Sequence, residues 1–195
     1  MRYALAHPVV VDSRPKPLYQ YVMKPLSFLF TLAGVVIAAF RSDAAMPKVG
    51  DPAPDFTVTA SDGSTVKLKD QLGKGFIVLY FYPKDDTPGC TKEACGLRDG
   101  IDEFKGLNAT VYGVSFDSVE SHKKFIEKYK LPFLLLADTD KKLAIAYGVA
   151  GDKSPVPSRS TFVIDKTGKI VFMKAKVDPA THAAEVRTFL AGQTQ

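Results

Sequence analysis

The run GFIVLYFYP, Gly75 to Pro83, constrains the fold more than any other stretch of the chain. Its side chains are apolar or aromatic at successive positions, so neither face of a strand built from it suits water. Such a run fits a central strand buried on both faces, with a layer packed against each side. It is followed at once by PKDDTPGCTKEAC, Pro83 to Cys95, a polar, turn-rich segment that holds both cysteines of the chain.

The flanking pattern supplies the rest of the domain. MPKVGDPAPDF (Met46–Phe56) is a Pro- and Gly-punctuated entry. Phe56–Thr59 and Ser64–Lys69 read as two short strands around the turn SDG. Thr91–Leu107 has helical character weakened by Gly96 and Gly100, and Thr110–Phe116 is a second apolar strand. Asp117–Lys130 is an amphipathic helix, with Asp117 expected at the cap and Glu120 three positions on. Phe133–Ala137 is a third core strand and Lys141–Tyr147 a short helix. Arg159–Val177 reads as two strands joined by the turn Asp165–Gly168, and a last helix is expected to start at Asp178–Pro179. Parallel crossovers followed by an antiparallel hairpin imply an α/β domain with a mixed central sheet flanked by helices. No internal repeat or low-complexity tract interrupts it.

The first 44 residues have a different character. From Met23, a short basic start (Lys24) precedes an uncharged apolar core, Leu26–Phe40, and then the small residues of SDAA. That order matches a secretory signal peptide, with Ser42 and Ala44 meeting the small-x-small requirement for cleavage before Ala45. The core of about 15 residues falls short of the roughly 20 that span a bilayer, although an uncleaved membrane anchor is the alternative. Residues 1–22 fit poorly ahead of a signal peptide, which an initiation at Met23 would explain. The expected division is a leader, 1–44, and a domain, 45–195, exported to a bacterial periplasm. The net charge of +5 belongs largely to this leader. Its five basic and two acidic residues, removed from 26 Lys+Arg and 21 Asp+Glu, leave 21 against 19. No basic run with interleaved aromatics marks a nucleic-acid surface.

Cys90 and Cys95 are five positions apart. Zinc wants about four ligands, and His7, His122 and His182 are scattered, so no metal or other cofactor is expected. A bridge closing so small a loop would be a weak structural staple. A redox pair fits better. In a regular helix five residues give about 7.5 Å of rise, with Cα atoms about 8–9 Å apart, whereas a disulfide wants about 4.4–6.8 Å. Oxidation must therefore unwind the segment, which Gly89 and Gly96 make easier. Thr87-Pro88-Gly89 starts a helix and sets Cys90 in its first turn, where free N–H groups and the helix dipole favour a thiolate. Thiol peroxidase, exported disulfide-exchange protein and redox sensor or copper carrier all remain in view. The last two would favour Cys-x-x-Cys or Cys-x-x-x-Cys spacing.

YFYPKDDTPGCTKEAC resembles the active-site segment of peroxiredoxins, specifically the Prx Q or bacterioferritin comigratory protein subfamily. The family pattern Pro-x-x-x-Thr-x-x-Cys is met by Pro83, Thr87 and Cys90, the second subfamily cysteine by Cys95, and the distant arginine by Arg159 in RSTFVID. The similarity runs from about Lys48 to Leu190. It implies a thioredoxin-like fold and a peroxidase that reduces hydrogen peroxide and organic hydroperoxides, and a cysteine pair within one chain, which needs no partner subunit for resolution, favours a monomer. Cys90 would be the peroxidatic nucleophile that becomes a sulfenic acid, and Cys95 the resolving thiol that forms a disulfide with it. Thioredoxin or a similar dithiol would recycle the pair. Thr87, Arg159 and the Cys90 N–H would hold the peroxide oxygens, and Pro83 would shield the pocket. The leader departs from this subfamily, whose members are typically cytosolic, and puts the identity of the reductant in question.

Neighbouring charges are expected to matter less. Lys84, Asp85 and Asp86 could tune charge at the pocket mouth but read rather as a solvated loop face, and Lys92 and Glu93, beside the cysteines, could bias the thiolate but read as surface charges of small effect. His122 shares a helical face with Val119, Phe125 and Tyr129 and reads as a packed histidine. Pro155 and Pro157 order the loop that delivers Arg159.

Overall fold

The computed structural model describes residues 45–193. The expected leader, its cleavage site and the start at Met23 lie outside them. In chain order the elements are β1 (Thr57–Thr59), β2 (Thr65–Lys67), α1 (Leu68–Gln71), β3 (Phe76–Phe81), α2 (Pro88–Asp99), α3 (Ile101–Gly106) and β4 (Ala109–Ser115). They continue with α4 (Val119–Tyr129), β5 (Leu134–Ala137), α5 (Lys142–Ala146), β6 (Ser160–Ile164), β7 (Ile170–Ala175) and α6 (His182–Ala191). A five-stranded sheet has the order β5-β4-β3-β6-β7, and β1 and β2 form a separate antiparallel pair. β3 runs parallel to β4 and antiparallel to β6.

The apolar run takes the central place its composition requires. Ile77, Leu79 and Phe81 face a core completed by Tyr112, Leu136, Tyr147 and Phe162. Val78, Tyr80 and Tyr82 face the opposite core, with Cys90, Leu97, Phe125 and Val186. Each fully buried side chain of this size contributes roughly 1.5–3 kcal/mol, so both faces anchor the strand. Gly113 on β4 leaves the space that Tyr80 needs. A Cβ there would lie 2.7 Å from the Tyr80 hydroxyl oxygen and 2.6 Å from a Leu135 methyl.

Three helix boundaries differ from the sequence pattern. Gly100 splits the expected 91–107 helix into α2 and α3. The cap of α4 is Ser118, whose hydroxyl accepts from the Ser121 amide. Asp117 is unavailable for that role because its carboxylate accepts from the Asp85 amide and the Ser115 hydroxyl. The last helix begins at His182, because Asp178 first closes a turn by accepting from the Ala180 amide at 2.8 Å. Among the described residues no helix is long and apolar enough to cross a membrane.

Candidate active site

β3 ends at Phe81, and the chain leaves the sheet through Tyr82 and Pro83 into a short loop. Asp86 holds a left-handed φ of 56° there, a region that aspartate tolerates better than most residues. Thr87 caps α2 in an extended conformation and Pro88 occupies the first turn. The fixed φ of proline suits that turn, and its missing N–H costs nothing there. The Thr87 hydroxyl donates to the Lys84 carbonyl at 3.0 Å, which ties the loop to its own cap. Cys90 then falls on the first turn of α2, 1% exposed, and Cys95 is half-buried further along the same helix. Both thiols are free. In helical geometry their Cα atoms stand about 8–9 Å apart, beyond disulfide reach.

Arg159 comes from the loop that precedes β6. Its backbone is fixed by the Lys176 amide, which donates to the Arg159 carbonyl. Its Nη2 lies 3.2 Å from Cys90 Sγ, and its Nη1 donates to Glu93 Oε2. Burial alone would lower the guanidinium, but the Glu93 carboxylate and the Cys90 sulfur outweigh it and hold Arg159 above its ordinary range. A permanent cation at hydrogen-bond distance stabilises negative charge on the sulfur. Gly89 keeps this approach open, since a Cβ there would lie 3.3 Å from Arg159 Nη2. Pro157, in the loop that delivers Arg159, is buried.

Cys90, Arg159 and Thr87 thus meet around one helix N-terminus, with half-buried Pro83 at the start of the loop. Two charges assigned to the surface lie inside instead. Asp85 is only 7% exposed. It accepts from the Tyr82 hydroxyl at 2.6 Å and the Ser121 hydroxyl at 2.8 Å, and sits 2.9 Å from His122 Nδ1. His122 is packed, as its helical face predicts, and joins this network. Glu93 is fully buried beneath Cys90, where its carboxylate faces Arg159 and His182. Helical spacing offered one hint of this: Glu93 precedes the buried Ala94 and Leu97 on α2 and lies three positions after Cys90. Asp86 does remain at the surface, paired with Lys128 and the Tyr129 hydroxyl. Among the described residues, no group of three or more His, Cys, Asp or Glu is arranged to hold a metal ion.

Residues 49–173 match the AhpC/TSA family. The chain is 49% identical to the peroxiredoxin Bcp of Bacillus subtilis over 144 residues, covering 71% of this chain and 91% of that one. It is 46% identical to the chloroplastic peroxiredoxin Q of Arabidopsis thaliana over 143 residues, 72% of this chain and 66% of the relative. The structure of a PrxQ cysteine mutant from Xylella fastidiosa superposes with a TM-score of 0.72 at 34% identity, covering 78% of this chain and 99% of the other. The bacterioferritin comigratory protein of Xanthomonas campestris, solved in connection with its alkyl peroxide reduction activity, gives 0.67 at 34% identity. That match covers 72% of this chain and 92% of the other.

Proposed function

The chain belongs to the AhpC/TSA family and is a thiol-dependent peroxidase of the Bcp and peroxiredoxin Q kind, with a thioredoxin-like fold; from that premise we propose that Cys90 is its peroxidatic nucleophile and Cys95 its resolving thiol. The observation that carries the assignment is the Arg159 guanidinium 3.2 Å from the Cys90 sulfur at the N-terminus of α2. The Cys90 thiolate attacks a peroxide oxygen. The S–O bond forms as the O–O bond breaks, and the departing oxygen leaves as water or an alcohol after taking a proton. Arg159 and the Cys90 N–H hold the oxygens and stabilise the charge that grows on the leaving one, while the Thr87 hydroxyl, its proton given to the Lys84 carbonyl, accepts from the peroxide O–H. Pro83 walls the pocket against water.

The Cys95 thiolate then attacks the sulfenic sulfur, forming the S–S bond and expelling hydroxide, which is protonated to water. A thioredoxin-like dithiol reduces the disulfide by exchange. Resolution within one chain needs no second subunit, which favours a monomer. The substrates are hydrogen peroxide and alkyl hydroperoxides, the latter supported by the activity named for the Xanthomonas protein.

Residues 1–44 precede the matched segment. The order of Lys24, the apolar core and SDAA supports a targeting leader that exports the domain 45–195. Cell fractionation with N-terminal sequencing tests it. A soluble exported chain starting near Ala45 supports cleavage, a membrane-bound chain retaining the leader supports anchoring, and a cytosolic chain contradicts both. The enzymatic assignment is tested by peroxide consumption in a thioredoxin-coupled assay. Cys90→Ser should abolish turnover and Cys95→Ser should stop after one round. Equal activity in both variants would contradict the roles.

A further inference from the structure

Behind Cys90 lies a second tier of charge. Glu93 turns its two oxygens to different basic side chains: Oε2 to Arg159, and Oε1 to His182 Nδ1 at 3.0 Å. His182 is 1% exposed, and its Nε2 lies 2.8 Å from the Thr161 hydroxyl on β6. Neither Glu93 Oε1 nor His182 Nδ1 has an aligned hydrogen bond. A buried contact of this kind is far stronger for an imidazolium than for a neutral ring.

We infer that His182 is a positioning residue for the peroxide reaction, whose proton sets how much of the Arg159 charge is left for the Cys90 sulfur. The inference rests on Cys90 being the peroxidatic residue. With a neutral His182, the Glu93 carboxylate is balanced by Arg159 alone, and the guanidinium serves carboxylate and thiolate together. With a protonated His182, Glu93 is balanced from its far side, and the group facing the sulfur gains one net positive charge. Imidazole is the side chain best suited to carry a charge that can be added or removed.

The other groups around the ring leave this coupling intact. From α2 come Glu93 and, beyond it, Cys90; from the loop before β6 comes Arg159. Tyr80 on β3 has its ring centroid 6.2 Å from that of His182, and burial holds its hydroxyl well above its ordinary range, so it stays neutral. Thr161 does not titrate. Glu185, on the same helix as His182, is already paired with Lys174 of β7, and that partner and Thr181 hold it below the usual carboxylate range.

The test compares single-turnover rate constants with hydrogen peroxide near pH 6 and near pH 8.5, using the full chain with Cys95→Ser. His182→Asn keeps a polar side chain without the charge, and serves if the bulkier change His182→Leu fails to fold. The expected result is a slowing of roughly fivefold or more near pH 6, the effect of one charge several ångströms away at an effective dielectric of about 40. The ratio of native to variant rate should be smaller near pH 8.5 than near pH 6. Equal slowing at both pH values would mark a merely structural histidine and overturn the inference, as would no change at either. If the chain with native His182 fails to react at all, the assignment of Cys90 falls as well; reaction with an unaltered pH profile removes only the role of His182.

Discussion

At the scale of single residues, the site turns on one guanidinium shared between two acceptors. Arg159 contacts the Cys90 sulfur and the Glu93 carboxylate through different nitrogens. A hydrogen bond to a charged group contributes about 1.5–3 kcal/mol, so Arg159→Met should slow sulfenic acid formation roughly 10- to 100-fold. Stopped-flow mixing with peroxide measures it, and an unchanged rate would detach Arg159 from the chemistry. Cys90, Cys95, Thr87, Pro83 and Arg159 could be singled out from the sequence because they match a family pattern, and the structure brings Cys90, Thr87 and Arg159 to one helix N-terminus. Glu93 and Asp85 could not be singled out. Beside Lys92 and Lys84 each reads as a solvated charge, and their burial is produced by segments remote in sequence. Arg159 reaches Glu93 across 66 positions and His122 reaches Asp85 across 37.

At the scale of elements, the roles proposed for the cysteines require α2 to be firm enough to present Cys90 and loose enough to let Cys95 reach it. Cys90, Ala94 and Leu97 pack its inner face, and Gly96 sits close to Ala183 of α6. The segment is tied at both ends to Tyr129 of α4. The Tyr129 hydroxyl donates to Asp86 at 2.6 Å, and its carbonyl accepts from Arg98 at 2.8 Å. Unwinding on disulfide formation is therefore expected to stay between these ties. Hydrogen exchange should show the amides of residues 90–97 losing protection in the oxidised chain while those of α4 keep theirs. Exchange spreading through α4, or protection unchanged in α2, would contradict this. The element order was legible because each strand and helix carries its own period, whereas the caps were not. Asp117 looks like a helix cap by position, yet the active-site loop claims its carboxylate through the Asp85 amide.

At the scale of the whole molecule, the antiparallel hairpin β6-β7 is added beside the central strand and followed by α6, and this brings Arg159, Thr161 and His182 to the cysteine helix. The mixed sheet followed from the sequence order; which side chains meet beneath α2 did not, because strand register and helix rotation decide it. Stability should carry one distinct pH signature. Asp138, 1% exposed, accepts from the Leu143 and Ala144 amides, but burial outweighs those bonds and pushes its carboxyl up from 3.8 to about 6. A raised folded value favours the protonated folded state, so this contribution is complete below about pH 4 and is lost as pH rises through about 6. Denaturation midpoints across that window should fall more steeply for the native chain than for Asp138→Asn; parallel curves would contradict it. The most direct test of the peroxidase chemistry is single-turnover trapping. The full chain carrying Cys95→Ser is treated with a single equivalent of peroxide and a sulfenic-acid-specific reagent, then mapped by mass spectrometry. The predicted result is an adduct on Cys90, and in the native chain a Cys90–Cys95 disulfide with no adduct. A Cys90→Ser chain that consumes peroxide as fast through Cys95 would contradict it.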